Sequence, residues 1–412
     1  MSPAAKRTPL QALPRKHGIL ALGSLVIAAM LWLSLVHWVF KLPDAYTASP
    51  TGGVSPLASE LAARQLHLWK DDESRRAELG RMRRSNSEWD FMGRSFLVWS
   101  LGEIGMRDPS RKSECLAVMD RIIVETLKLE AEHGFYFFLM PYAKAAPFVQ
   151  TPARSLFVDS EIALMLGTRR LLEERPDFKP LMTARVDGMV ERIRSSPAWV
   201  VESYPDECWL FDHAVALAAI RVADHLDGSD HSEFFRAWIA GAKARLTHPA
   251  TGLLVSSCTT GAQALDGPEG SSIWMAAHCL RLVDGEFARD QYRRARQELG
   301  AAFAGFAWSR EWPRSWTNPA DVDSGAVIPI LNASAGGSGL AFFGAASFND
   351  RGFYQQLWTS VEFAGFPRRK QGQLRYCASN QVGDAVMLYA AVLGPVWERV
   401  LGGTDSHHGK VR

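Results

Sequence analysis

Residues 18 to 40 read GILALGSLVIAAMLWLSLVHWVF, an apolar run whose only polar side chains are Ser24, Ser34 and His37. At ~1.5 Å of rise per residue, a helix of this length crosses the hydrocarbon core of a bilayer. Everything behind it must therefore fold as a domain tethered at its N-terminal side. Lys6, Arg7, Arg15 and Lys16 precede the run with no acid among them, and Lys41 is the only base close behind it. The positive-inside rule then predicts a single-pass membrane protein with a cytoplasmic N-terminus and an extracytoplasmic C-terminal domain, periplasmic in a Gram-negative cell. A cleaved signal peptide is the rival reading, but the run is longer than an ordinary signal core. The DAYTAS stretch that follows also offers Tyr46 where cleavage wants a small residue. The predicted division is a basic tail over 1–17, the anchor over 18–40, a Pro-, Gly-, Ser- and Thr-rich flexible spacer over 41–57, one domain over 58–403 and a polar tail over 404–412.

The five bases before residue 42 account for more than the formal net charge of +2, so the exported part is slightly acidic and no nucleic-acid partner is implied. The five cysteines, Cys115, Cys208, Cys258, Cys279 and Cys377, show neither CxxC nor other metal-ligand spacing. Neither a metal site nor a disulfide framework is signalled, although one bridge could form.

Beyond the spacer almost no alternating strand pattern occurs. A helix built of small and apolar residues on all sides recurs instead, each time followed by an amphipathic, Arg- or Glu-rich one. The all-round apolar type begins near Ser95, Glu161, Asp212, Ser272, Gly337 and Gln381. A helix apolar on every side must be buried on every side, whereas an amphipathic one needs a single apolar seat. Six inner helices wrapped by six outer ones predict an all-α fold, an (α/α)6 toroid. The loops into the inner helices are long and rich in aromatics and acids, as in SPAWVVESYPDECWLFD, and mark where a ligand would bind.

Glu161 opens one inner helix in this reading and Asp212 opens the next, so two carboxylates would face one cleft and divide acid and base roles. Asp159, Tyr204 and His213 accompany them as candidate binding residues, and Trp89 and Asp90 at the first inner helix could line an aromatic pocket. Asp321 and Asp323 precede a Gly-rich stretch, DVDSGAVIPILNASAGGSG, suited to close backbone approach to a ligand. The competing reading of each acid is structural, since Asp and Glu favour first helical turns as caps and dipole partners.

From about Trp89 to Gly402 the chain resembles the linalool dehydratase/isomerase family. The likeness is clearest in SEIALMLGTRRLL, DHAVALAAIRVADHLDGSDHSEFFRAW, DVDSGAVIPILNASAGGSG and QLRYCASNQVGDAVML. The resemblance implies an (α/α)6 toroid that interconverts terpene alcohols and hydrocarbons without a cofactor. It departs from the family at the chemistry: Glu161 stands where that family has a histidine, Asp212 where it has a cysteine, and its second cysteine falls near Val201. The expected substrate is a small molecule, either a terpenoid-like apolar alcohol or, on the same toroid, a glycan handled by a hydrolase or epimerase. A non-catalytic lipid- or glycan-binding envelope protein is the third alternative, and a homo-oligomer is left open.

Overall fold

A computed structural model describes residues 15–49, 52–317 and 325–408. Among them the chain is 66% helix. The first helix, α1 (Arg15–Phe40), is long and apolar enough to cross a membrane, and none of its apolar window is buried against the rest of the chain. The stretch read as a spacer carries the one-turn α2 (Asp44–Thr47), whose Tyr46 hydroxyl donates to Glu60 at 2.6 Å.

Fourteen further helices follow, in chain order: α3 (Pro56–Lys70), α4 (Asp72–Ser85), α5 (Ser87–Arg107), α6 (Lys112–His133), α7 (Leu156–Leu172), α8 (Phe178–Ser195), α9 (Leu210–Asp227), α10 (Ser232–Arg245), α11 (Gly270–Leu280), α12 (Gly285–Glu298), α13 (Ala335–Ser347), α14 (Arg351–Ala364), α15 (Gln381–Val392) and α16 (Pro395–His408). The odd-numbered helices from α5 to α15 are the ones whose sequences are apolar on all sides. In α7 every residue is buried. They pack in succession, α5 on α7, α7 on α9, α9 on α11, α11 on α13, α13 on α15, and α15 back on α5. The amphipathic helices lie outside them, with α6, α8, α12 and α14 each seated on the helix before it and α3 seated on α15. Close approach is enforced at Gly167 of α7, where an added Cβ would come within 2.7 Å of Val222 on α9.

Strands occur where sequence pattern gave none, as short pieces in the connections. Three sheets form: β1 (Cys208–Trp209), β2 (Ser257–Cys258) and β3 (Ala264–Asp266); β4 (Gly300–Phe303), β5 (Phe306–Arg310), β6 (Val327–Ile328) and β7 (Ala333–Ser334), in the order β4-β5-β7-β6; and the hairpin of β8 (Pro367–Lys370) and β9 (Gln373–Tyr376). Each links the loop entering one central helix to the loop entering another, or to an outer helix.

Seven of the helices start on a side-chain cap: Asn86, whose side chain accepts from Trp89 N at 3.0 Å, and Ser55, Asp71, Asp284, Ser334, Asp350 and Asn380 in the same role. The starts of α7, α9 and α11 have no such cap. Their first N–H groups instead donate to a carbonyl in the loop leading to the next central helix: Leu156 N to Glu202 O at 2.8 Å, Leu210 N to Ser256 O at 2.8 Å, and Gly270 N to Glu311 O at 2.7 Å. One device thus satisfies three successive orphan donors and stitches the loops together. Ser87 at the start of α5 donates to Leu139 O at 2.6 Å, and Gln381 at the start of α15 lies against Gly93 of α5. The six central helices consequently begin at one end of the domain.

Candidate functional site

Glu161 lies in the second turn of α7, because the helix begins at Leu156 rather than at the glutamate. The preceding LFVDS continues the apolar helix, which is why the start read from the sequence falls five residues late. Asp212 sits in the first turn of α9. Glu161 is fully buried, and neither of its carboxylate oxygens has a hydrogen-bond partner among the described residues. Burial holds its carboxyl well above the usual carboxylate range, the neighbouring Ser95 hydroxyl acts in the opposite direction, and the charge of Asp212 adds to the rise. Asp212 is itself buried, which pushes its pKa up to about 8, with Ser203 pulling down and Glu88 pushing up. The two carboxyls are therefore within electrostatic reach of one another, on adjacent helices, with no cation among the groups that act on them.

Glu88 opens α5 and accepts from the Tyr204 hydroxyl, which in turn accepts from Met140 N at 2.8 Å and stacks on Tyr142 with 4.7 Å between ring centroids. Tyr204 thereby ties the loop before α9 to the start of α5. Cys279 of α11 is fully buried, and burial followed by the charge of Glu161 raises its thiol pKa, so a third helix contributes to the same centre. Glu88, Ser95, Ser203 and Cys279 escape a reading of the sequence by motif. The signal that could find two of them is spacing, since Glu88 and Ser95 are seven residues apart on α5 and share one face.

The other predicted residues are placed elsewhere. Asp159, two positions from Glu161 and so about 200° around the helix, is enclosed by Arg154, Arg185 and Arg192, the last two at 2.9 and 2.7 Å. His213 is locked by backbone on both sides of its ring, with Nδ1 2.7 Å from Trp209 O and Nε2 accepting from Val201 N at 3.0 Å. Burial lowers its pKa to about 4, so it is neutral at physiological pH. Asp90 is buried 3.5 Å from Arg94, with burial raising its pKa, and Trp89 is half-buried against the core. Asp321 and Asp323 lie outside the described residues.

Cys208 is buried opposite Cys258 in the β1–β2 pair, and a hydrogen bond with Cys258 together with burial raises its pKa, the reverse of what a nucleophilic thiol requires. Among the described residues no three potential metal-ligating side chains converge. Two surface hollows of about 420 and 450 Å³ lie along α10 and α12, and neither is lined by Glu161 or Asp212. The arrangement at the centre is thus a pair of buried carboxyls on adjacent helices, both raised above the usual carboxylate range and with Asp212 acting on Glu161 as a like charge. No protein-family model matches the chain, and no curated protein matches it.

Proposed function

We propose that the chain is a membrane-anchored, extracytoplasmic (α/α)6 toroid resembling linalool dehydratase/isomerase, acting as a cofactor-free lyase or isomerase on an apolar, terpenoid-like alcohol. The toroid is supported by the closed succession of central helices and by the repeated loop-to-helix bond at the starts of α7, α9 and α11. The basic residues before α1 support the cytoplasmic N-terminus. One observation carries the chemistry: Glu161 is fully buried with neither carboxylate oxygen in a well-formed hydrogen bond, the Ser95 hydroxyl being its neighbouring donor, beside a second raised carboxyl. An unpartnered buried polar group is a cost that a ligand able to bond it would remove.

In the reaction, protonated Glu161 donates to the substrate hydroxyl, the C–O bond breaks and water leaves. Asp212 in its carboxylate form takes a proton from the neighbouring carbon, and the C–H electron pair becomes the new double bond. The surroundings of the two carboxyls support these roles, since Glu161 feels Asp212 as a like charge and Asp212 titrates near neutrality.

The test is turnover of ten-carbon tertiary allylic alcohols by the full chain in detergent, with volatile products followed by gas chromatography. Dehydration or isomerisation whose rate rises with pH through about 8, where Asp212 ionises, is the expected result. Glu161→Gln and Asp212→Asn should each lose on the order of 10²-fold or more. Turnover that survives both substitutions would refute the assignment, and turnover of glycans instead would move the site to the carbohydrate class.

A further inference from the structure

Three exposed phenylalanines gather where α1 meets the domain. Phe303 is 70% exposed at the tip of the β4–β5 hairpin, Phe363 is 51% exposed in the last turn of α14, and Phe366 is 68% exposed just beyond it. Phe303 and Phe363 form one patch with the end of the membrane helix, and Phe366 follows Phe363 by three residues. The Phe40 ring lies 5.1 Å from that of Phe363, which lies 5.4 Å from Phe306, the cross-strand partner of Phe303. At the hairpin tip, Gly305 has φ +83°, and an added Cβ would fall within 2.3 Å of the His37 ring, so backbone seats directly on the last turns of α1.

The neighbouring hairpin is basic. Arg368 and Arg375 stand directly opposite each other across β8–β9, both exposed, with exposed Lys370 at the turn. Like charges in register repel, and an anionic surface would relieve that repulsion. Arg369 joins this hairpin to the segment behind α1, donating to the Tyr46 hydroxyl at 3.1 Å.

Both hairpins are connections into central helices: β4–β5 leads to α13 and β8–β9 to α15. They therefore sit at the end of the domain where the central helices begin, the end near which Asp212 lies. We infer that this end docks on the bilayer surface, with Phe303, Phe363 and Phe366 entering the interface and Arg368, Lys370 and Arg375 meeting anionic headgroups. The occupant follows from continuity, since a patch joined to a bilayer-crossing helix at its exit point is held at the depth of the headgroups. The inference rests on α1 crossing the membrane and adds an orientation to it. A ligand dissolved in lipid would then reach the Glu161–Asp212 end without passing through bulk water.

The test uses the full chain carrying Cys377→Ser, reconstituted into phosphatidylcholine/phosphatidylglycerol vesicles. An environment-sensitive fluorophore is placed singly at Phe303→Cys, Phe366→Cys, Trp32→Cys within α1, or Glu233→Cys, whose parent side chain is 93% exposed at the start of α10. With bromine on the lipid acyl chains, the labels at 303 and 366 should be quenched several-fold more than that at 233, alongside strong quenching at 32. Quenching at 32 alone would leave the anchor standing and overturn the docked face. No quenching at 32 would remove the anchor and the inference with it. Labels at 303 and 366 that are shielded in a concentration-dependent dimer yet untouched by brominated lipid would assign the patch to a second copy.

Discussion

Replacing Asp212 by asparagine should make the protein more stable, and by an amount that depends on pH. The folded state binds the Asp212 proton more tightly than the unfolded chain does, because burial raises the folded pKa to about 8. Unfolding therefore becomes easier as pH rises from the unfolded carboxyl's value near 4 up to about 8, and the native contribution is fully present only below that window. Each pH unit above the unfolded value costs about 1.36 kcal/mol within the window, so Asp212 withholds about 4 kcal/mol at pH 7 and about 1 kcal/mol at pH 5. Asparagine keeps the shape and a donor in place of the protonated carboxyl, so it should recover much of that difference. Denaturant unfolding of the full chain in detergent, followed by tryptophan fluorescence, measures it. Asp212→Asn should exceed the parent by about 2–4 kcal/mol at pH 7, with the gap narrowing as pH falls to 5. Equal stability across this range, or a less stable variant at pH 7, would refute the reading of Asp212 as a buried carboxyl held against its own charge.

Two further outcomes follow from the surroundings. Asp159→Asn should cost about 3 kcal/mol or more in the same unfolding measurement, because Arg192 has its carboxylate removed while Arg154 and Arg185 keep only Glu130. Alkylation of the native protein should modify Cys377 alone, since it is exposed and Cys115, Cys208, Cys258 and Cys279 are buried; peptide mass mapping after a brief pulse checks this.

The N-terminal apolar helix and the six all-round apolar helices are legible in the sequence because both signals are long: a 23-residue apolar run in one case, and all-round apolarity over three or more turns in the other. Helix starts are less legible. Asn86 can be read as a cap before α5, but α7 and α9 start without side-chain caps, and their first donors are met by carbonyls at Glu202 and Ser256 that no local pattern announces. The strands escape for a related reason. A two-residue piece such as Cys208–Trp209 is too short to alternate and exists only because Ser257–Cys258 lies opposite. In the site, Asp159 and Asp90 look like neighbours of the inward face although each is two positions from a residue on it. Two positions on a helix is about 200°, so an inward Glu161 sends Asp159 outward to its arginines, and an inward Glu88 does the same to Asp90.

Whether Glu161 and Asp212 are more than helix-terminus acids turns on which physical effect dominates them. An acid serving a helix start is stabilised as an anion by the macrodipole and by backbone donors, worth typically about 0.3–1 kcal/mol at a surface. Asp71 and Asp108 behave this way: each accepts a backbone hydrogen bond at a helix start, Asp71 is exposed and Asp108 half-buried, and hydrogen bonding lowers each pKa. Glu161 and Asp212 move in the opposite direction. Neither caps its helix, both are buried, and desolvation outweighs every opposing contribution, including whatever the dipole supplies to Asp212. At pH 7 the cost at Asp212 alone, about 4 kcal/mol, is several times what capping could return. A residue chosen for fold stability would be replaced there by asparagine or serine, which cap as well and carry no charge to bury. The cost becomes intelligible if a carboxyl that can both hold and release a proton is what the position requires.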